Sequence, residues 1–272
     1  MEVRALVDAP AGPEWTTLHG DACSARRSGR VARGDISGYS HLRFRHRRPA
    51  LYVSRRNPIV MRILSWNLLK TDGASVTDIC RLVEQHRPDL MLFQEATEAV
   101  DTLPGLIGGH YVRRAMDRRD DGPAAWSSQP FTTATEALPL ATRLDLPIPV
   151  FRAVSTRMAL LIRLGSLEVA NVHLDQGQLA NRCQLRHLLD SHKQLDIVIG
   201  DYNAVGTITL PGFADVGPRR TTHKAYGLVP LRLDRCLVRG LSCTSAMALD
   251  YGNSDHRPIL IELVSDRDRV FT

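Results

Sequence analysis

The chain has 272 residues, 43% of them hydrophobic, and a formal charge of +6 at neutral pH. That is enough to bury a full core in one domain, or in one domain with an appendage. No apolar stretch approaches the roughly 18 residues that a membrane-crossing helix needs, and the N-terminus lacks the apolar core of a secretory signal, so a helical membrane protein is excluded and a cytoplasmic setting is expected.

The five cysteines are odd in number and none has the close spacing of a thiolate metal site, which fits a reducing compartment. Charge is unevenly spread. Residues 1–60 hold 11 arginines and 5 acids, whereas 61–272 hold 24 residues of each sign. The first sixty residues mix Arg, Gly, Ser, His and Pro without strand alternation or a helical stripe. A solvated, disordered basic extension is expected there, with a phosphate-tracking arm as the alternative. Translation starting naturally at Met61 would also account for it.

From Met61 the pattern sharpens. Arg62–Trp66 reads as a strand ending at Asn67, and Val76, Ile79, Leu82 and Val83 fall at helical spacing until Pro88 ends the helix. The run Leu90–Phe93 is apolar on both faces, as a central covered strand should be, and delivers Gln94 and Glu95 at its end. Residues 101–146 read as loops with short strands. Met158–Leu164 and Leu167–Leu174, parted by Gly165 and Ser166, predict a hairpin whose second strand presents His173 near its end. Leu185, Leu188 and Leu189 mark an amphipathic helix within 178–192, and Leu195–Ile199 runs into Asp201 and Asn203. A strand over Leu231–Val238 contains Asp234, and the last strand, Pro258–Val264, follows Asp255 and His256. Residues 266–272 are a tail.

Polar residues thus stand repeatedly where apolar strands stop. A buried carboxylate costs several kcal/mol unless it is paired or bound to metal, and one shared metal site at a sheet rim accounts for the repetition.

The ordered series SWN, FQEA, NVHLD, GDYNA, LDR and SDHRP, spread over about Met61–Leu263, resembles that of the endonuclease/exonuclease/phosphatase superfamily. WSSQP at 126–130, Arg182 with Gln184, and Thr222 agree with it. Only the order of the whole set is specific, since any one tripeptide is weak. The resemblance implies a four-layer α/β sandwich, two mixed sheets packed face to face with helices outside, spanning 61–265. It implies a divalent ion, Mg²⁺ or Mn²⁺, held by Glu95 and Asn67 with Asp255 contacting it directly or through water. Such hard ions prefer oxygen ligands and need few of them from protein. It further implies His256, oriented by Asp234, as the group acting on the attacking water or the phosphate. Asp201 and Asn203 would position the nucleophile and bind the scissile phosphate, and His173 would protonate the leaving oxygen or bind phosphate. Arg157 and Arg235 are candidate phosphate contacts, with surface ion pairing the expected fate of each.

Two departures narrow the reading. Leu69 stands where some repair nucleases carry an acid, and Leu231, Arg232 and Leu233 stand where inositol phosphatases usually show Trp-Cys. The expected activity is metal-dependent hydrolysis of a phosphodiester or phosphomonoester, with nucleic acid or another phosphate ester as partner. Lipid or small-molecule phosphates are the alternative, and a non-catalytic binding module that kept the fold is a third. For a nuclease, Arg113, Arg114, Arg118, Arg119, Arg219 and Arg220 are the candidate cleft-flanking cations.

Overall fold

The computed structural model describes residues 60–116, 119–140, 156–225 and 229–264, together with the backbone of Thr16–Thr17. The strands in chain order are β1 Thr16–Thr17, β2 Val60–Asn67, β3 Leu90–Ala96, β4 His110–Arg113, β5 Gly122–Ser127, β6 Thr132–Leu138, β7 Arg157–Leu164, β8 Leu167–His173, β9 Ile197–Asp201, β10 Ala214–Asp215, β11 His223–Ala225, β12 Val229–Leu231, β13 Asp234–Val238, β14 Ser242–Ala248 and β15 Ile259–Val264. The helices are α1 Val76–His86, α2 Leu103–Ile107 and α3 Gln178–Ser191. Of the basic extension, Thr16 and Thr17 pair antiparallel with β6. Its remainder up to residue 59, the tail and Arg118 lie outside the described residues.

Two sheets carry the fold. One runs β1-β6-β7-β8-β9-β13-β10 and the other β14-β15-β2-β3-β5-β4, with β11 and β12 forming a separate hairpin. Both sheets are mixed, since β8 is parallel to β9 and β2 is parallel to β3 while their other pairings are antiparallel. Strand alternation sorts the apolar side chains into three layers of core. Ile63, Leu92 and Ile261 of the second sheet meet Ile162, Val169, Ile199 and Cys236 of the first. On the outer face of the first sheet, Ala170, Val172 and Val198 pack with Leu185 and Leu188 of α3. On the outer face of the second, Leu64, Trp66, Met91 and Phe93 pack with Ile79 of α1 and Leu103 of α2. Helix, sheet, sheet, helix: the four-layer sandwich is present.

Local chemistry explains the elements. Ser75 opens α1 through a capping box with Asp78, and Arg87 closes it in the left-handed conformation before Pro88. Gly165, at φ 57°, makes the predicted hairpin turn between Leu164 and Leu167. Two expectations need correction. Residues 101–138 hold three strands and a helix, and β5 is buried along its whole length. Its sequence GPAAWS lacks the β-branched residues that signal a strand. The single strand expected over Leu231–Val238 is broken at Arg232 and Leu233, so Asp234 begins β13. The Thr222 hydroxyl accepts from the backbone N–H of both Leu233 and Asp234, at 3.1 and 3.0 Å, and draws them out of a continuous ladder.

Candidate active site

Along the inter-sheet face, the apolar side chains give way to polar ones toward one end. In β2 the inward series is Ile63, Ser65, Asn67, and in β8 it is Val169, Asn171, His173. The middle step is an amide junction between the sheets. Gln94 Nε2 donates to Asn171 Oδ1 at 2.6 Å and to Ser65 Oγ at 3.1 Å, and Asn171 Nδ2 donates to the carbonyls of Phe93 and Ala124.

Beyond the junction, register does the assembling. His173 pairs with Asp201 and Asp201 with Asp234, so three adjacent strands place these residues level. Asn67 closes on them from the other sheet, its Nδ2 donating to Asp201 Oδ2 at 3.2 Å. Glu95 reaches the same space by a different device. With Gln94 facing inward, simple alternation would turn Glu95 toward the helix layer. A register shift between Phe93 and Ala96, with Glu95 at φ 55°, re-aims it, as bulges do. Its Oε1 lies 3.9 Å from His173 Nε2, and its Oε2 accepts from Lys70 N at 3.2 Å.

His256 completes the cluster. Its Nδ1 lies 2.9 Å from Asp234 Oδ2, and its Nε2 lies 3.7 Å from Asp201 Oδ2. Neighbouring motif residues hold it there. Trp66 Nε1 donates to the His256 carbonyl, while Ser254 Oγ accepts from His256 N and donates to the Asn67 carbonyl. The Trp of SWN and the Ser of SDHRP therefore tie β2 to the loop bearing the histidine.

Charge in this buried cluster is unevenly divided. Burial pushes the His256 imidazole down, but the Asp234 and Asp201 carboxylates outweigh it and hold it up at about 10. Burial and the Arg157 guanidinium push His173 well below the ordinary histidine range, so its ring is neutral. Asp201 is raised by burial and by the charge of Asp234, against the opposing pull of His256.

All eight residues singled out in the sequence are found about this rim. Asn67, His173, Asp201, Asp234 and His256 are buried; Glu95, Asn203 and Asp255 are half-buried. Asn203, at φ 48°, donates its backbone N–H to Asp201 Oδ1 and its Nδ2 to the Leu174 carbonyl. Asp255 faces His223, with Oδ2 3.8 Å from Nδ1.

Three features differ from expectation or escaped it. Arg157 is not a surface ion-pair partner: it is 8% exposed, and its Nε and Nη1 have no hydrogen-bond partner. Arg235 does pair with an acid, Asp215, but is buried. His223, not identified from sequence, places its ring 4.2 Å from that of His256. Its only signal was its position after Thr222. Among the cleft-flanking candidates, Arg113 pairs with Asp101 and Arg119 with Asp121, while Arg219 and Arg220 are exposed.

The donor set fits a hard divalent ion. Glu95 Oε1 and Asn67 supply oxygens, and buried acceptors at Asp234 Oδ1 and Asp255 Oδ1 have no partner. Two groups, Asp201 with Asp234 and His256, and His223 with Asp255 and His256, also bring ligand atoms within 4.8 Å of one another. The first is accounted for by the hydrogen bond of His256 Nδ1 with Asp234 and the ion pair of its Nε2 with Asp201.

A two-sheet sandwich between helices, with acids, amides and histidines gathered at one rim, defines the fold class of the metal-dependent phosphoesterases. The model of the Endonuclease/Exonuclease/phosphatase family matches residues 64–256, and the chain belongs to that family. Solved structures agree in fold. A functionally unknown conserved protein from Enterococcus faecalis V583 is 21% identical with TM-score 0.60, covering 76% of this chain and 100% of that one. D. rerio TDP2 complexed with single strand DNA product is 16% identical with TM-score 0.56, covering 75% and 98%. The human Nocturnin catalytic domain with bound sulfate is 17% identical with TM-score 0.55, covering 75% and 94%. No curated protein matches the chain in sequence.

Proposed function

We propose that this chain hydrolyses phosphodiesters by in-line attack of water, with a divalent metal ion, and that its substrate is a nucleic acid. The observation that carries the reading is Arg157. A buried guanidinium whose Nε and Nη1 have no hydrogen-bond partner offers a fork to an anion. Phosphate meets that requirement bidentately. The neighbour TDP2, solved with a single-strand DNA product, supports nucleic acid as the ester.

Glu95 and Asn67, with Asp255 nearby, would hold the ion, which when bound neutralises charge on the phosphoryl oxygens. The chain's own residues divide the remaining work. Asp201, oriented by Asn67 and by the Asn203 backbone, and raised toward neutrality, takes the proton of the attacking water. Cationic His256, fixed by Asp234, donates to a phosphoryl oxygen as charge develops. Neutral His173 donates a hydrogen bond to the phosphate, and the leaving oxygen, released as its bond to phosphorus breaks, takes its proton from solvent. Arg157 anchors the anion.

Hydrolysis of bis(p-nitrophenyl) phosphate with Mg²⁺ or Mn²⁺ tests this reading. Chelator should abolish turnover, and Glu95→Ala and His256→Ala should each lower kcat by ~10² to 10⁴. Rates indifferent to both substitutions would remove the mechanism. A panel of single-stranded DNA, RNA, phospholipid and nucleotides then identifies the ester class.

A further inference from the structure

Two residues past Asn203 the chain lines a recess of about 260 Å³. Gly206 and Thr207 form one wall, and Arg219, Arg232 and Arg235 bring three guanidiniums to it. On β13, Asp234 faces the space between the sheets, so alternation sends Arg235 to the opposite face. The recess therefore backs the same strand whose first residue orients His256.

Its charge is out of balance. Asp215 is the one acid in the lining; it binds Arg232 through both oxygens at 2.8 Å and Arg235 at 3.1 Å. One carboxylate thus pairs with two of the three guanidiniums and leaves the third, Arg219, without an acid in the lining. Arg235 is 3% exposed, and its Nε is buried with no hydrogen-bond partner. Arg219 is exposed and has no ion-pair partner among the described residues. Arg235 also donates Nη2 to the carbonyls of Ala204 and Gly206, which ties the recess to the loop leaving Asn203. Excess positive charge around a concave, polar space with an unsatisfied buried N–H calls for an anion. Planar guanidiniums select phosphate among anions because both its geometry and its charge suit their fork.

We propose that this recess is a second phosphate subsite, and that the substrate carries at least two phosphate groups, one other than the scissile group seating against the exposed Arg219 at the recess. The proposal rests on the phosphodiesterase reading given above and deepens it: a polynucleotide satisfies both subsites, whereas a phosphodiester with a single phosphate satisfies one.

Steady-state kinetics on a short single-stranded oligonucleotide and on bis(p-nitrophenyl) phosphate, for wild type and Arg219→Ala, test it. The ratio of kcat/KM for the oligonucleotide to that for bis(p-nitrophenyl) phosphate should fall about tenfold in the variant, the loss of one charge-assisted hydrogen bond. The dependence of log KM for the oligonucleotide on log salt should flatten by about one phosphate contact. An unchanged ratio overturns the proposal. Calorimetric titration of inorganic phosphate into the metal-free wild type and Arg219→Ala reads the recess by difference and without turnover, the Arg157 site being common to both. Weaker binding in Arg219→Ala supports the subsite and equal binding overturns it. A wild type that hydrolyses neither ester yet loses phosphate binding in the variant would sink the phosphodiesterase reading while leaving the anion site standing.

Discussion

His256 shows how little of a residue's chemistry its own identity fixes. An isolated imidazole titrates near 6.5; here two buried carboxylates hold it at about 10 against the effect of burial. In chelated protein, NMR should find the His256 ring protonated throughout the neutral range and losing its proton as pH rises through about 10. Asp234→Asn should bring that midpoint down toward the ordinary histidine value, and an unmoved midpoint would show that Asp234 is not the controlling charge. The amide junction makes a different kind of residue-scale prediction. Gln94→Leu leaves the Asn171 Oδ1 without its donor in a buried place. Unfolding by urea should show a loss of about 1–3 kcal/mol. Gln94 was noticed in the sequence only as a strand-end residue; its part is to join the sheets. His223 was missed as a site residue, and Arg157, weighed as a phosphate contact, was assigned to the surface, for a plain reason: nothing in a lone Arg or His says whether the space beside it is solvent or cleft.

At the scale of elements, the strands are legible to the extent that their faces differ in polarity. Leu90–Phe93 announced a strand covered on both sides, and all four residues are buried. The break before β13 was hidden because it depends on the hydroxyl of Thr222, eleven residues from Leu233. The Glu95 bulge was hidden for a similar reason, since a left-handed residue leaves no mark in the side-chain pattern. The pairing of β10 with β13 is further pinned by Asp215. Burial alone would raise the Asp215 carboxyl, but its hydrogen bonds and charges with Arg232 and Arg235 together outweigh that and hold it below the ordinary carboxylate range. A depressed folded pKa stabilises above the unfolded value of about 3.9 and loses that stability as pH falls through the folded value. Asp215→Asn should therefore be less stable than wild type at neutral pH, with the gap closing in acid, as thermal melts at pH 7 and below pH 4 would reveal. A gap that is constant with pH would refute the linkage.

For the whole molecule, three layers of apolar contact hold the rim in place, and the central one bears both sheets. Leu92 is fully buried there, and Leu92→Ala should cost about 2–5 kcal/mol, read by denaturant unfolding. The formal charge of +6 belongs to the first sixty residues, so any arginine cluster in the described part draws its effect from local imbalance rather than net charge. No helix among the described residues is long and apolar enough to cross a membrane. By itself the sequence determined the family, the order of most elements and the eight residues at the rim, because motif order and apolar periodicity are properties of the chain in one dimension. The tertiary structure alone decided that His173, Asp201 and Asp234 stand level, that a bulge turns Glu95 inward, and that Arg157 is buried with two N–H groups unpaired. Register, backbone handedness and the balance of charge in a cleft arise between segments distant in sequence, where no local pattern records them.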